Sequence, residues 1–398
     1  MTALADRHIL LALTGGIASY KSIELCRLLV KAKASVRVVM TKGAQAFVTP
    51  LTLQAVSQNP VHSELLDESA ESGMGHIELA KWAEFIIIAP ASCHAIAKIS
   101  HGLADDLLST LCLASKAKLL VAPAMNQQMW LNSITQENVQ RLRQHQVSIL
   151  GPAEGEQACG DIGPGRMLEP LALFDLIKHA VSPKPLRGKT ITITAGPTQE
   201  TIDPVRYISN HSSGKMGFAI AQAAACAGAN VNLIVGPVAL TTPLGVNRYD
   251  ITSADEMLEQ ANSLAPESDI FVGAAAVADY KTHQPAKQKI KKSTHTISLE
   301  LVKNPDIVGS ISLLDNKPFM VGFAAETEAL VDHAKQKLHN KQLDLIVAND
   351  VSQAGIGFNS DDNAVTIISQ HKIFEIKKTT KLAIAEQLIE LIAELIDY

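Results

Sequence analysis

The sequence has 398 residues, 47% of them hydrophobic and 19% charged, so it can form the cores of two or three domains. Its net charge of −5 and pI of about 6.2 are not those of a nucleic-acid-binding protein, and no apolar run is long enough to span a membrane. The five cysteines are scattered without a CxxC pair, which predicts free thiols in a reducing cytoplasm, with no disulfide or zinc site.

Short apolar runs alternate with helical patterns along the first half of the chain. Strands are predicted at 8–13, 35–40, 85–89, 118–122 and 148–150, and the helices between them include 18–33 and 134–145. This βαβ rhythm is typical of a mainly parallel sheet with helices on both faces. The proline-rich basic stretch 181–189 interrupts the rhythm and is interpreted as a linker.

The same rhythm restarts after the linker. Strands are predicted at 190–194, 230–235, 270–273, 319–323 and 345–348, then a hairpin of 364–368 with 372–376 and a closing helix over 380–396. The predicted fold class is therefore α/β, with two tandem Rossmann-like domains over 1–189 and 190–398. Ligands of such sheets lie beyond the carboxyl ends of the strands, so the polar segments that follow strands are the candidate sites.

The first candidate site follows the first strand, where Gly15 and Gly16 precede a helix. The segment is not a GxGxxG fingerprint, and no acidic residue closes the second strand to bind a ribose. Hydroxyl groups and backbone N–H groups suit a flavin mononucleotide phosphate, so Ser19 and Thr41 are its candidate ligands. A glycine pair after a strand is also common in an ordinary tight turn.

Two later strands end in similar segments, 89–92 and 122–129. In each, proline stops the strand, and small residues allow a flat ligand to approach, which makes Ser92 and Met125 candidate cofactor contacts. Asn126 offers a donor and an acceptor at the same edge, although an asparagine here is commonly a helix N-cap. His76 follows glycines, where a histidine is more often a cap or a surface residue than a catalyst.

The stretch 155–167 is rich in glycine and carries Cys159 between polar residues. A mobile flap with a thiol can close over a substrate and act as proton donor or nucleophile. The alternative interpretation is a flexible surface loop with an incidental cysteine.

The combination of TGGIASYK, His76, PAMNQQMW and the Cys159 segment resembles the flavin-containing cysteine decarboxylases that act on phosphopantothenoylcysteine. The resemblance implies a Rossmann-like flavoprotein that forms homotrimers with FMN bound where protomers meet, and it implies His76, Asn126 and Cys159 as the catalytic set. The chain departs from the family at Cys93-His94, which leaves the flavin contacts there open. In that chemistry, flavin oxidises the substrate thiol so that CO2 loss has an electron sink. Asn126 then orients the carboxylate, His76 positions or deprotonates the substrate, and Cys159 supplies a proton.

The second half is organised around 191–217, where a β-branched strand runs into a long polar loop and then an alanine-rich helix. Strand, polar loop and helix N-terminus form the geometry that holds anions, because unpaired N–H groups and the helix dipole point at the loop. An ordinary strand-to-helix turn seldom needs so long a loop. The lysine run 287–292 is either a solvated loop or part of a triphosphate site, and no P-loop motif is present.

The motifs TAGPTQETIDPVRYISNHSSGKMG, AAAVADY, KIKK, KNPDIV, GFAAET and LIVANDVS closely resemble phosphopantothenate–cysteine ligases of the bacterial, CTP-using type. The resemblance implies that Asn210 holds an acyl-cytidylate and that Lys289 contacts the substrates during activation, with Mg²⁺ neutralising the phosphates. The implied CTP contacts are Asp279, Lys289, Pro305, Asp306, Ile307, Val308, Phe323, Lys337 and Lys341.

Together the two resemblances imply a bifunctional enzyme of coenzyme A synthesis that uses 4′-phosphopantothenate, L-cysteine and CTP. They imply a cytoplasmic dodecamer built from decarboxylase trimers and ligase dimers, with no nucleic-acid or membrane partner. One alternative is a non-catalytic flavin-binding regulatory protein, which would not need His76, Asn126 and Cys159 together or a ligase half. Another is a nicotinamide-dependent oxidoreductase, which the missing GxGxxG disfavours.

Overall fold

The computed structural model describes residues 4–65, 75–158, 160–291, 297–326, 330–350 and 360–396. The chain divides into two compact units, which we call the first unit (residues 2–182) and the second unit (residues 183–398). The division falls inside the segment 181–189. Among the described residues, no helix is long and apolar enough to cross a membrane.

The first unit is built on one six-stranded sheet. Its elements are β1 His8–Leu13, α1 Ser19–Lys31, β2 Ser35–Met40, α2 Lys42–Gln45, α3 Pro50–Ser57, β3 Val61–His62, α4 Gly75–Trp82, β4 Phe85–Ala91, α5 Cys93–Ser100, α6 Leu107–Ala114, β5 Lys118–Pro123, α7 Gln127–Leu131, α8 Ser133–Gln144, β6 Ser148–Ile149, β7 Ala153–Glu156, β8 Ile162–Arg166 and α9 Pro170–Val181. The sheet is wholly parallel, in the order β3-β2-β1-β4-β5-β6. The order reverses between β1 and β4, and a ligand of a doubly wound sheet binds at such a point.

Strand β1 is apolar along its whole length because both of its faces are buried. Ile9, Leu11 and Leu13 pack into one core with α1 and α9, whereas Leu10 and Ala12 pack into a second core on the opposite face. Because helices cover both faces, successive side chains that point in opposite directions are all buried. The predicted β1 and β2 therefore agree with the observed strands to the residue.

The second unit has a larger sheet. Its elements are β9 Thr190–Ala195, β10 Gln199–Asp203, β11 Arg206–Ser209, α10 Lys215–Cys226, β12 Asn230–Val235, β13 Val246–Asp250, α11 Ala254–Leu264, β14 Ile270–Gly273, β15 Tyr280–Thr282, β16 Leu301–Lys303, α12 Ile307–Ser312, β17 Phe319–Glu326, α13 Leu330–Asn340, β18 Leu345–Asp350, β19 Asp362–Ser369, β20 Ile373–Thr380 and α14 Lys381–Ile396. The strand order is β13-β12-β9-β14-β17-β18-β19-β20, and only β19 and β20 run antiparallel to their neighbours. The prediction of two α/β domains with mainly parallel sheets and helices on both faces is confirmed.

Two segments predicted to be loops contain two-stranded ribbons instead. The polar stretch after β9 forms the hairpin β10–β11, and the glycine-rich stretch 155–167 contributes to the hairpin β7–β8. These hairpins lie outside the main sheets, so they lack the continuous apolar runs that identify a buried strand. Glycine in β8 permits positive φ values of 157° at Gly163 and 139° at Gly165, which suit a strand pressed against another segment.

Candidate active sites

A cavity of about 700 Å³ opens at the carboxyl ends of β9, β14 and β17 in the second unit. Nine residues that the sequence analysis singled out line it: Asn210, Asp279, Pro305, Asp306, Ile307, Val308, Phe323, Lys337 and Lys341. The structure thus gathers side chains that are up to 131 residues apart in the chain at one edge of the sheet. Because the resemblance implies a ligase site formed by these residues, we call this space the ligase cavity. Lys289 is exposed and is not among its lining residues.

The helix α12 presents its N-terminus to this cavity, and Asp306 is its N-cap. The Asp306 carboxylate accepts a hydrogen bond from the Gly309 N–H at 3.0 Å and lies 2.9 Å from the Lys341 ammonium group. Lys341 also continues the end of α13, since its N–H donates to the Lys337 carbonyl. Lysines line the cavity beside this helix N-terminus, an arrangement suited to phosphate oxygens: Lys215, Lys303, Lys337, Lys341 and Lys381.

Asn210 lies on the rim of the cavity, directly after the β10–β11 hairpin. Its side-chain Nδ2 donates to the Val277 carbonyl at 2.9 Å and to the Ala276 carbonyl at 3.4 Å. Nearby, the Ala278 N–H donates to the buried Thr198 hydroxyl at 3.0 Å. These bonds tie the segment after β14 to the segment after β9 and set the position of Asn210.

Two buried acceptor atoms in the cavity wall were not predicted. Asn304 Oδ1 and Asn349 Oδ1 are buried and have no hydrogen-bond partner among the described residues. A buried acceptor without a partner is costly, so a ligand carrying N–H or O–H donors would stabilise this wall. The sequence offers position as a signal for Asn349, which directly follows the predicted strand 345–348 and lies within the observed strand β18.

Asp203 connects the β10–β11 hairpin to the segment that carries Lys289. Its side chain is wholly buried, accepts hydrogen bonds from the N–H groups of Val205 and Ile290, and pairs with Arg206 at 2.6 Å. Arg206 in turn donates to the Ile290 carbonyl at 3.1 Å. The Arg206 guanidinium, with these N–H donors, holds the pKa of Asp203 well below its usual range.

Asp203→Asn should release this connection and lower kcat/KM for ligation about tenfold, because an amide donor would face both Arg206 and the Ile290 N–H. A depressed pKa stabilises the fold above the unfolded value of about 4 and loses that contribution as the pH falls. The difference in unfolding midpoint between wild type and variant should therefore be constant from about pH 8 to 5 and shrink in more acid solution.

The matched control for this experiment is Asp250→Asn, since Asp250 pairs with Arg248 while remaining 70% exposed. An exposed pair contributes little to stability, so this variant should keep both ligation and the unfolding midpoint. Equal effects of the two substitutions would contradict a specific role for Asp203.

A second cavity, of about 550 Å³, lies at the carboxyl edge of the sheet in the first unit. Of the predicted cofactor ligands, Gly15, Thr41 and Ser92 line it. Thr41 caps α2, and Ser92 caps α5 by accepting the Ala95 N–H. The wall is therefore formed by two helix N-termini and a glycine turn. Because the resemblance implies that a flavin binds here, we call this space the flavin cavity.

The remaining predicted cofactor ligands, Gly16, Ser19 and Met125, are not among the residues that line this cavity. The Ser19 side chain is buried and donates to the carbonyls of Gly16 at 2.8 Å and Thr14 at 3.2 Å. In this structure the Ser19 hydroxyl thus braces the turn that shapes the cavity.

The turn at Gly15 and Gly16 is closely packed on one side and open on the other. A Cβ atom on Gly15 would lie 3.2 Å from the Gly43 backbone, so the two loops pack closely there. A Cβ atom on Gly16 would meet nothing within 4 Å, which leaves open space on that side of the turn. Close loop packing beside an open, donor-lined space fits a phosphate-bearing planar cofactor.

The β7–β8 hairpin lies against the segment that carries Asn126. The Met125 N–H donates to the Gly165 carbonyl at 2.9 Å, and a Cβ atom on Gly165 would lie only 2.5 Å from the Met125 carbonyl oxygen. Asn126 Nδ2 donates to Asp161 Oδ2 at 2.8 Å, while Asn126 Oδ1 caps α7 by accepting the Gln128 N–H. The predicted cap and the predicted functional amide are thus the same side chain.

Of the other two predicted catalytic residues, one does not line the flavin cavity and the other is outside the described residues. His76 is half-buried in the first turn of α4 and is not among the residues lining the flavin cavity. Cys159 lies outside the described residues, although Ala158 and Gly160 on either side of it are described.

An unpredicted charged cluster also borders the flavin cavity, formed by Lys98 with Asp105 and Asp106. Burial lowers the pKa of Lys98, but hydrogen bonds to the two carboxylates outweigh it and raise that pKa overall. The cluster ties α5 to the start of α6, which gives the cavity a rigid polar side.

Comparison with known proteins gives two family matches that together span nearly the whole chain. Residues 2–182 match the Flavoprotein family, and residues 186–396 match the DNA/pantothenate metabolism flavoprotein C-terminal domain. The coenzyme A biosynthesis bifunctional protein CoaBC of Vibrio cholerae is 54% identical, covering 99% of this chain and 100% of the relative. The protein of the same name from Haemophilus influenzae is 56% identical, covering 96% of each chain. A crystal structure of the C-terminal domain of such a protein aligns at 36% identity with a TM-score of 0.47, covering 54% of this chain and 98% of that one.

Proposed function

The chain belongs to the family of bifunctional coenzyme A biosynthesis proteins, and we propose that its second unit condenses 4′-phosphopantothenate with cysteine and its first unit decarboxylates the product. Relatives more than half identical over essentially the full chain support this assignment. The observation that carries it is the convergence of nine motif residues on the ligase cavity. We assign residues 1–189 to the decarboxylase and residues 190–398 to the ligase.

The ligase reaction takes CTP as its second substrate. The carboxylate of 4′-phosphopantothenate attacks the α-phosphate and expels pyrophosphate, and the amine of cysteine then attacks the acyl-cytidylate. Lys337 and Lys341 would bind the triphosphate, and Mg²⁺, when bound, would neutralise part of its charge. Asn210 holds the mixed anhydride, and Lys289 completes the site during activation. The buried acceptors of Asn304 and Asn349 offer partners to a ligand that carries donors.

The decarboxylase reaction uses FMN, which when bound oxidises the substrate thiol and so provides an electron sink for CO2 loss. The donor-lined cradle at Gly15 and Gly16 fits the phosphate of this cofactor, with Thr41 and Ser92 beside it. Asn126 orients the substrate carboxylate, and His76 positions the substrate. Cys159 donates a proton to the product carbon.

Each unit exposes large apolar side chains: Met129 is 47% exposed beside the flavin cavity, Tyr207 on β11 is 53% exposed and Tyr280 on β15 is 46% exposed. Separate exposed side chains are ordinary on a protein surface, so the oligomer is proposed from the family resemblance. We assign trimers to the first unit and dimers to the second, giving a dodecamer in the cytoplasm.

Incubation of the purified protein with 4′-phosphopantothenate, cysteine, CTP and Mg²⁺ tests the proposal. Mass analysis should detect 4′-phosphopantothenoylcysteine and then 4′-phosphopantetheine, with CMP and pyrophosphate released. A yellow protein that binds flavin but releases no CO2 from supplied 4′-phosphopantothenoylcysteine would instead support a regulatory flavin-binding protein.

A further inference from the structure

A buried lysine of the first unit has no part in the proposed chemistry. Lys21 lies in the first turn of α1, shortly after the turn at Gly15 and Gly16, and its side chain is only 6% exposed. Its ammonium group donates to the Met167 carbonyl at 3.0 Å and lies 2.7 Å from the Glu169 carboxylate. These partners are 146 and 148 residues away in the sequence, so the contact joins the start of α1 to the segment between β8 and α9.

The carboxylate of Glu169 serves this contact and not the helix that it precedes. Glu169 is the N-cap residue of α9, a position whose side chain commonly accepts a hydrogen bond from the first turn, yet it makes no such bond. Its ion pairs are with Lys21 and, at 3.4 Å, with Arg166. Burying an ammonium group is costly and a buried ion pair adds little net stability, so the main effect of this pair is the position that it imposes on the chain.

The contact fixes the chain where the β7–β8 hairpin ends. Met167 directly follows β8 and is buried. Two residues earlier, the Gly165 carbonyl accepts the Met125 N–H at 2.9 Å, and the Asn126 side chain contacts the connection between the two strands. The hairpin therefore rests against the segment that carries Asn126, and Lys21 holds the end of the hairpin at a fixed place relative to α1.

We propose that Lys21 is a positioning residue for decarboxylation, which seats the β7–β8 hairpin against the Asn126 segment. The inference rests on the proposed function of the first unit, in which Cys159 supplies a proton to the product carbon. Cys159 belongs, by its place in the sequence, to residues 157–161, which join the two strands. A shift of about 1 Å at a reacting group can cost a factor of about 100 in rate, so a poorly seated hairpin should slow this protonation.

Hydrogen exchange of the full-length protein as purified tests the positioning without any measurement of activity. Lys21→Met keeps the aliphatic stem and removes the ammonium group. Exchange of the Met125 N–H and of the backbone amides in β8 should become about tenfold faster, because a docking contact is lost. Amides of β1 and β2 should exchange as in the wild type. Wild-type exchange at the Met125 N–H would overturn the proposal.

A single turnover of supplied 4′-phosphopantothenoylcysteine without oxygen gives the second readout. Lys21→Met should release CO2 at close to the wild-type rate, but protonation of the product should be about tenfold slower. The oxidised enethiol should therefore accumulate before 4′-phosphopantetheine appears. The enethiol holds two electrons fewer than 4′-phosphopantetheine, and these are the electrons that the bound flavin has taken up. Equal slowing of CO2 release and product formation, with no enethiol, would contradict the positioning role.

A second variant, Glu169→Gln, guards against failure of Lys21→Met to fold. Glu169 is 64% exposed, so its substitution leaves the core intact. Both readouts should change in the same direction but less, by about threefold, because Lys21 keeps its bond to the Met167 carbonyl. Should Lys21→Met not fold, wild-type exchange and no enethiol in Glu169→Gln would overturn the proposal, whereas faster exchange with enethiol would support it.

Two variants on α1 are matched controls. Lys31→Met removes an exposed lysine from the same helix, and Glu24→Gln removes an exposed pair with Arg27. Both should keep the wild-type exchange and the wild-type product, since exposed charges contribute little. Absence of CO2 release by the wild-type protein would refute the proposed function itself. Normal release, with wild-type behaviour of Lys21→Met and Glu169→Gln, would remove only the positioning role.

Discussion

Asn210→Asp should lower the rate of ligation by about 100-fold or more, a loss typical of removing one precisely placed hydrogen-bond donor from a reacting site. The Asn210 Nδ2 atom donates to the carbonyls of Val277 and Ala276, and a carboxylate at that position would present only acceptors to them. The new negative charge would also face two anionic substrates. The substitution is nearly isosteric, so the loss reports on charge and donor pattern and not on volume.

The measurement is pyrophosphate release in the presence of CTP, with and without cysteine. Decarboxylation of supplied 4′-phosphopantothenoylcysteine by the same preparation should remain normal, because Asn210 belongs to the second unit. Asn247→Asp is the matched control, since Asn247 lies on the edge strand β13 and donates to Asn232 away from the ligase cavity. Undiminished ligation in Asn210→Asp would show that this side chain has no part in the reaction.

Asn126→Asp should reduce decarboxylation by about 100-fold while ligation continues. The Asn126 Nδ2 and Asp161 Oδ2 atoms lie 2.8 Å apart, and two carboxylates at that separation would repel each other. The repulsion should displace the β7–β8 hairpin, which rests against Met125 through Gly165. The cap of α7 should survive, because aspartate is as good an N-cap as asparagine.

A double variant, Asn126→Asp with Asp161→Asn, separates two roles of this amide. Exchanging the two groups restores one donor and one acceptor across the contact, so the hairpin should dock again and the protein should regain wild-type stability. Restored decarboxylation would assign Asn126 to positioning the hairpin alone. Continued loss of CO2 release, in a protein that retains its flavin absorbance, would assign the amide to the substrate carboxylate.

Asn132→Asp is the matched control for this pair. Asn132 caps α8 by accepting the Ile134 N–H at 3.0 Å, and aspartate should preserve that cap and both activities. Full decarboxylation by Asn126→Asp would contradict any role for the amide at this position.

The two units place their sites in the same way. In each sheet the strand order reverses beside the first strand of the unit, between β1 and β4 and between β9 and β14. At such a point, the connections that follow the two neighbouring strands pass to opposite faces of the sheet. A crevice is left between these two connections. Gly15 after β1 and Gly214 before α10 each line the cavity of their own unit, so one architecture can present two different sites by changing its loops.

The sequence by itself determined the architecture and much of the ligase cavity. Strands buried on both faces must be continuous apolar runs, so β1, β2, β12 and β14 were predicted to the residue. The resemblance of its motifs to CTP-using ligases implied that Asn210, Asp279 and the 305–308 segment share a site, and they line one cavity.

Only the tertiary structure decided which distant side chains meet. Nothing local to Asp203 indicates that it holds the backbone of Ile290, and nothing local to Lys381 indicates that it lies beside Lys215. The hairpins β7–β8 and β10–β11 also escaped prediction, because their pairing depends on packing against other segments and not on an apolar pattern of their own. Hydrophobic periodicity indicates which face of an element is buried. Contacts between residues far apart in the chain form only when the whole unit has folded.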